Sequence, residues 1–430
     1  MSGDRPALPL RQLVTLTVYW FGIVTIWNGL GKIVIPLLIK SFPGGEANYG
    51  TLIVILTSVG VIAPIIVQPT VGVISDYTMT RWGRRKPYIL IGGLLDLVFL
   101  YGIATSDTFV TLVAFYFLLQ VSSNFAQAPF QGYVPDLVPA RQVGLASGLM
   151  GLMIVLGSIA GVGIATYGVQ AWSVFAGTMA LAAVELVAMV IVITTVHEGT
   201  KGPKRTMSWT KLALSAWGTD ILREKSVLWL LAVRLLFLGA YSATSFALIY
   251  FERTHGLTTT EASTMVFIAV AIVGVMTGLA SLPGARLSDR FGRKPVLYGG
   301  MALTAFGLAG LALAPSPTVA IILFIPAGLG IGSFLSVDWA LMTDVIPKHT
   351  SARYMGVLNA GTAMAEPVYL VFGGLTLTAA GLLSNNPVTP AGPVAAIWVG
   401  VVFLALAALA LTQVDATRRE AVEVAELAAA

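Results

Sequence analysis

The stretch from Asp76 to Pro87 packs Arg81, Arg84, Arg85 and Lys86 into six residues between two long apolar runs. Bilayer hydrocarbon does not accept such a cluster, so the chain has to turn in water there, between two membrane-crossing helices. A second version, Ala285 to Pro295, closes the eighth apolar run, and its Gly292 lies 209 residues after Gly83, close to half of the 430-residue chain. The pattern is shared: Asp76 answers to Asp289, Gly83 to Gly292, the Arg84, Arg85 and Lys86 run to Arg293 and Lys294, and Pro87 to Pro295. Two related halves, each with a basic hairpin after its second helix, are the plan that this repeat imposes.

Apolar stretches long enough to cross a bilayer run over 13–38, 49–75, 88–106, 110–135, 144–168 and 173–196, then over 226–251, 261–285, 296–314, 319–345, 354–380 and 392–412. The predicted fold is an all-α membrane protein of twelve spans in two pseudo-symmetric six-helix halves, 1–196 and 226–412. A cytosolic connection, 197–225, joins them, and a cytosolic tail, 413–430, follows. With 57% hydrophobic and 10% charged residues, the chain is far from soluble domains, where about 25% are charged. Met1 to Gln12 lacks the layout of a cleavable signal, so the first run is expected to be the first span. An even number of spans puts both termini on one side. Placing them inside leaves all 25 Lys and Arg cytosolic except Lys32, Lys40, Arg234 and Arg253, as the positive-inside rule requires. Arg141, Lys204, Arg205, Lys348 and Arg418 all fall inside on that plan. The expected location is therefore the cell (inner) membrane, multi-pass, with both termini cytosolic.

The absence of cysteine excludes disulfides and thiolate metal sites, and the three histidines (His197, His255, His349) are expected in loops, so no metal or cofactor is expected. The net charge of +5 sits where topology wants it and does not point to nucleic acid. No nucleophile–base pair or phosphate loop suggests an enzyme.

The repeat reaches beyond the hairpins. Asp136 to Pro139 in the fourth run matches Asp344 to Pro347 in the tenth, and a glycine (Gly148, Gly356) follows each Asp by twelve residues. Gly144, Gly148, Gly151, Gly157 and Gly161 in the fifth run are expected to let helices approach and slide. Ionisable groups deeper in the membrane are costly, and therefore functional candidates: Lys32, Asp96, Glu185, Arg234, Asp338 and Glu366. Lys32 either meets a solute or snorkels to the outer face. Arg234 either meets a solute or partners a buried carboxylate. Asp338, next to Trp339, either carries a proton or neutralises a fixed cation such as Arg234 or Lys32; it has no acidic counterpart in the first half, where Phe130 holds the matching position. Glu366, before Pro367, is the next candidate carrier. Polar groups of the first half form a second set: Gln68 before Pro69, Gln127 and Gln131 on one helix face, and Trp27 and Asn28 one turn before Lys32. Amides both donate and accept, and aromatic planes suit the apolar faces of sugar rings, so this row reads as a polyol site. Hydrogen bonding between helices is the alternative use of the same groups.

Across its length the chain resembles the major facilitator superfamily. The long first hairpin is similar to that of the glycoside–pentoside–hexuronide:cation symporters and the related sucrose–proton symporters. Val67 to Gly72, with Gln68 before Pro69, and Gln127 to Pro129 followed by Asp136 resemble the sucrose pattern. Melibiose-type permeases carry acids where Gln68 and Gln127 stand, and the sucrose branch has an Arg where this chain has Gln131. The resemblance implies spans one, four, seven and ten around a central cavity, with three, six, nine and twelve as supports. It also implies a conformational latch at the hairpins, formed by Asp76, Arg81, Arg84, Arg85, Asp289, Arg290, Arg293 and Asp344 with Asp136. The expected activity is alternating-access, proton-coupled symport of a sugar or glycoside-like solute, with the proton gradient as driving force. Asp338, Asp136 or Glu366 would couple the proton, and Trp27, Asn28, Lys32, Gln68, Gln127, Gln131, Arg234 and Trp339 would hold the solute. Export of an amphiphile, or a non-transport assembly role on the same fold, are the alternatives. The expected partners are a small-molecule substrate and the bilayer, with the protein a monomer.

Overall fold

The computed structural model describes residues 6–139, 142–198, 208–211, 224–345 and 351–415; the side chains of Trp339 and Asp344, His349, and most of the expected connection and tail lie outside the described residues. Among the described residues, twelve helices are long and apolar enough to cross a membrane. In chain order they are α1 (Leu10–Ser41), α2 (Tyr49–Asp76), α3 (Lys86–Ala104), α4 (Phe109–Gln131), α5 (Val143–Ala171), α6 (Val174–Thr195), α7 (Lys225–His255), α8 (Thr259–Phe291), α9 (Arg293–Ala312), α10 (Pro317–Val345), α11 (Ser351–Leu383) and α12 (Ala391–Thr412). Two of the sequence expectations shift. The fourth span stops at Gln131, just after Pro129, and Asp136 sits on a separate short helix, Tyr133–Leu137. His255 is not in a loop but closes α7, where Gly256 turns left-handed (φ 66°).

Local chemistry explains the boundaries. Thr108 and Thr111 form a capping box at the start of α4, and Thr258 and Glu261 form one at the start of α8, each satisfying backbone N–H groups that the first turn leaves open. Pro87 occupies the first turn of α3, where a missing N–H costs nothing.

The chain divides into two compact units, Met1–Glu46 with Ser58–Trp217, and Ala47–Thr57 with Gly218–Ala430. Six helix pairings recur in the two sets of six helices. α1 packs on α5 and α6, α2 on α4, α3 on α4 and α6, and α5 on α6; α7 packs on α11 and α12, α8 on α10, α9 on α10 and α12, and α11 on α12. In the glycine row of α5, Gly157 and Gly161 lie against the backbone of α1, and a methyl group on Gly161 would stand 2.2 Å from the Thr25 carbonyl oxygen. Gly144, Gly148 and Gly151 face open space instead.

The first helix of each set is irregular at its middle. α1 carries a π-helical turn at Leu30–Val34, flanked by Gly29 and centred on Lys32. α7 carries a 3-10 turn at Ser242–Phe246, where three hydroxyl residues compete for the backbone. The 209-residue repeat places the π turn opposite 239–243, so the two interruptions overlap. Such turns loosen the i→i−4 ladder and concentrate at working sites.

Candidate functional site

In the first unit the polar residues of α1, α2 and α4 join up. Trp27 donates through Nε1 to Ser123 Oγ (3.2 Å) and meets the Tyr116 ring edge-on. Gln68 donates to Asn124 Oδ1 (2.7 Å), Asn124 donates to the backbone carbonyl and side-chain oxygen of Gln120, and Gln120 donates to the Tyr116 hydroxyl (3.1 Å). Asn28 turns back to the Val24 carbonyl. Gln127 and Gln131 are half-buried. The sequence offers two i, i+4 amide steps in α4, and the one that is hydrogen-bonded is Gln120–Asn124. Lys32 is buried on the π turn.

Asp96 and Glu185, on α3 and α6, are brought together in the interior of the same unit. Tyr19 donates to Glu185 Oε1 (3.2 Å), and Ser122 donates to Asp96 Oδ1.

In the second unit Arg234 and Asp338, two separate candidates in the sequence, meet as a buried ion pair between α7 and α10. Arg234 Nη1 also points at Met342 Sδ (2.8 Å), and Nη2 donates to Thr362 Oγ1 (2.8 Å). Asp338 Oδ1 accepts no hydrogen bond among the described residues. Within the 3-10 turn, three residues after its start, Ser245 donates to Glu366 Oε1 (2.7 Å). The guanidinium makes the buried carboxylate tolerable, since either charge alone in that setting would be prohibitive.

The two hairpins differ in their contents. Arg84 and Arg85 both reach Asp136, and Arg85 also pairs with Asp76 (2.8 Å) and donates to the Pro129 carbonyl. Arg81 is exposed. Glu198, just after α6, is a residue that sequence reasoning missed. Its carboxylate accepts the backbone N–H groups of Arg84, Arg85 and Lys86 (2.7, 2.8 and 2.9 Å) and the Tyr133 hydroxyl. It caps the N-terminus of α3, where a negative charge meets free N–H groups and the helix dipole. Burial and the adjoining Glu198 carboxylate push the Tyr133 phenol up, so it remains a donor. Gly83 adopts φ 119°, and a Cβ there would lie 2.6 Å from Glu198 Oε2, so the hairpin needs glycine on both counts. In the second hairpin Arg293 bonds Asp289 and Ser288 (2.7 Å each), Arg290 lies over the Phe291 ring, and Gly292 takes φ 92°.

Residues 34–414 match the family described as MFS/sugar transport protein. The chain belongs to that family. Among relatives, a sucrose transport protein of Oryza sativa subsp. japonica is 31% identical over 124 residues, 24% of this chain and 23% of that protein, so the match spans under a quarter of its length. The class C tetracycline resistance protein of Escherichia coli is 22% identical over 430 residues, 98% of each chain. Among solved structures, a bacterial homologue of the human lysosomal transporter Spinster superposes with TM-score 0.70 at 15% identity, covering 95% of this chain and 97% of that one. A D-xylose–proton symporter superposes with TM-score 0.65 at 18% identity, covering 92% and 95%. Those two likenesses establish the fold, twelve helices of the MFS type. The MFS/sugar transport match begins at Val34, inside the π turn of α1, so Tyr19, Trp27, Asn28 and Lys32 precede it, while Gln68, Asp96, Glu185, Arg234 and Asp338 fall within it.

Proposed function

We propose that the protein is a secondary transporter that moves a sugar or glycoside-like solute by alternating access, coupled to protons. The observation that carries this reading is the hydrogen-bonded row from Gln68 through Asn124 and Gln120 to Tyr116, with Trp27 beside it. Linked amides offer donors and acceptors at fixed spacing, and the indole and phenol rings offer flat apolar faces, which together suit a polyol. Lys32, Asn28, Gln127, Gln131 and Trp339 are further solute candidates. Membership of the family supports transport in general, and the partial match to a sucrose transport protein supports the sugar class.

Proton coupling falls to the Arg234–Asp338 pair, with Asp136 and Glu366 as secondary carriers. When Asp338 takes a proton, Arg234 loses the charge of that carboxylate while its Thr362 and Met342 contacts remain, a change that favours a different arrangement of α7 and α10. The hairpin ion pairs around Arg84, Arg85, Asp76 and Asp136, and around Asp289, Arg290 and Arg293, act as the latch that opens and closes once per cycle; Asp344 and Arg81 belong to the same proposed set. The protein works as a monomer in the cell membrane with both termini cytosolic. A second reading, export of an amphiphile, is favoured by the full-length match to a tetracycline resistance protein.

The test is uptake of labelled sucrose, maltose and aryl glycosides into proteoliposomes under an imposed pH gradient, beside tetracycline efflux in the same preparation. Saturable glycoside uptake that collapses with the gradient supports the sugar reading. Tetracycline movement with no glycoside uptake replaces it with the export reading.

A further inference from the structure

The interior of the first unit holds a group of titratable side chains that the proposed cycle does not use. Asp96 lies at the middle of α3 and Glu185 at the middle of α6; they are 0% and 1% exposed. Both border the Tyr19 hydroxyl, which bonds Glu185 and would lie 3.3 Å from a Cβ on Gly93, one turn before Asp96 on α3. Each has one oxygen bonded to a neighbour, Asp96 Oδ1 to Ser122 and Glu185 Oε1 to Tyr19. The other oxygen of each, Asp96 Oδ2 and Glu185 Oε2, is buried and has no hydrogen-bond partner among the described residues.

Among the described residues, no cation pairs with either of them. α4 and α5 contain no Asp, Glu, Lys, Arg or His, and Lys86 at the first residue of α3 is ten positions from Asp96. On α1 the titratable group that faces the pair is Tyr19; Arg11 comes eight residues earlier and Lys32 thirteen later, about 12 Å and about 20 Å along a helix axis. The helices also close tightly over the pair. Gly22 of α1 sits so near α6 that an added Cβ would be 3.2 Å from the Glu185 Cα, and Gly92 of α3 meets the Ser122 carbonyl oxygen of α4 at 2.7 Å in the same sense. Two adjacent carboxylates in such a setting would each be charged, desolvated and repelled by the other. One proton removes the repulsion and supplies the donor that both free oxygens lack.

We propose that Asp96 and Glu185 bind one proton between them, as a buried proton site in the first unit separate from the Arg234–Asp338 pair. The chemistry balances simply: a proton enters as an O–H···O bridge between the two carboxyls and leaves two carboxylates behind when it goes. The site faces the solute row through three consecutive residues of α4. Ser122 bonds Asp96, Ser123 accepts from Trp27, and Asn124 accepts from Gln68. Loss of the proton therefore raises the net negative charge from one to two on the side of α4 away from the groups proposed to hold the solute. The inference goes beyond the sugar reading and stands on geometry that does not depend on which solute is moved.

The experiment is infrared spectroscopy of the full chain in lipid nanodiscs at stepped pH, with the proton itself as the probe and no solute present. The parent should show the carbonyl band of a protonated carboxyl at neutral pH, and alkali should convert it to carboxylate. Asp96→Asn and Glu185→Gln should each lose that band, because the new amide N–H replaces the shared proton, and Asp338→Asn should keep it. Should either of the first two variants fail to fold, Ser122→Ala removes one hydrogen bond only and should shift the band's frequency. Absence of the band from the parent, its survival in the Asp96→Asn/Glu185→Gln double variant, or an unshifted band in Ser122→Ala overturns the proposal. Failure here leaves glycoside uptake untouched as a question, and failure of glycoside uptake leaves these spectra unchanged.

Discussion

At the scale of single residues, the ion pair between Arg234 and Asp338 lends itself to a stability cycle. Removing one partner strands a buried charge, at a cost of roughly 3–5 kcal/mol, whereas replacing both with apolar side chains of similar size strands none. Arg234→Met and Asp338→Leu should each lower the thermal midpoint in detergent, and the double variant should recover most of the loss while failing to accumulate solute against a gradient. Additive losses in the double variant would show that the two side chains do not depend on one another. The sequence made both residues visible, because an ionisable group inside an apolar run stands out. It offered Arg234 and Lys32 alike as the cation beside Asp338 and could not choose between them, since 104 positions separate Arg234 from Asp338 and no local spacing encodes a meeting of α7 with α10. Glu198 was invisible for the opposite reason: an acid in a polar segment after a span looks like any solvated charge, and only the fold delivers the start of α3 to it.

At the scale of elements, the Glu198 cap and the glycine contacts of α5 give two checks. Glu198→Gln keeps the size of the side chain but halves its accepting capacity and removes its charge at a helix N-terminus, worth about 1–2 kcal/mol. Hydrogen exchange at the amides of Arg84, Arg85 and Lys86 should quicken about tenfold, with exchange in the second hairpin unaltered; equal protection in both proteins would remove Glu198 from this role. Gly161→Val should be poorly tolerated, losing about 1–3 kcal/mol to overpacking against α1, while Gly148→Ala, which meets open space, should leave the thermal midpoint within a degree or two. The glycine row was legible as a row, because small residues at helical spacing stand out. Which of its members touch a neighbour was not, because the sequence does not say how far along α5 the contact with α1 extends. The spans themselves were almost wholly legible from hydropathy, except where proline and glycine end α4 early and set Asp136 on its own turn.

At the scale of the whole molecule, the repeat seen in two hairpins extends to six helix pairings, so the plan of the fold was readable from the basic loops alone. What the repeat could not convey is how its copies have diverged: among the described residues, the interior of one holds the acids Asp96 and Glu185, each with one oxygen unbonded, and that of the other an Arg–Asp pair. Ion use follows from the same contents. Gln68 is neutral and hydrogen-bonded to Asn124, and a sodium ion gains little from amides without a carboxylate. Solute uptake should therefore respond to an imposed pH gradient and stay flat when sodium is varied at fixed pH; strong sodium stimulation in proteoliposomes would reject proton coupling. The neutrality of the Arg234–Asp338 pair also has an electrical side. Empty, the pair carries no net charge, and moving it through the membrane field takes no work. With a proton on Asp338 and Arg234 still charged, it carries one positive charge, and the field then acts on it with up to about 2.3 kcal/mol per 100 mV. Voltage should thus bias the loaded half of the cycle and leave the empty return nearly indifferent, so that an inside-negative membrane would keep the carrier running inward even with no difference in pH across it.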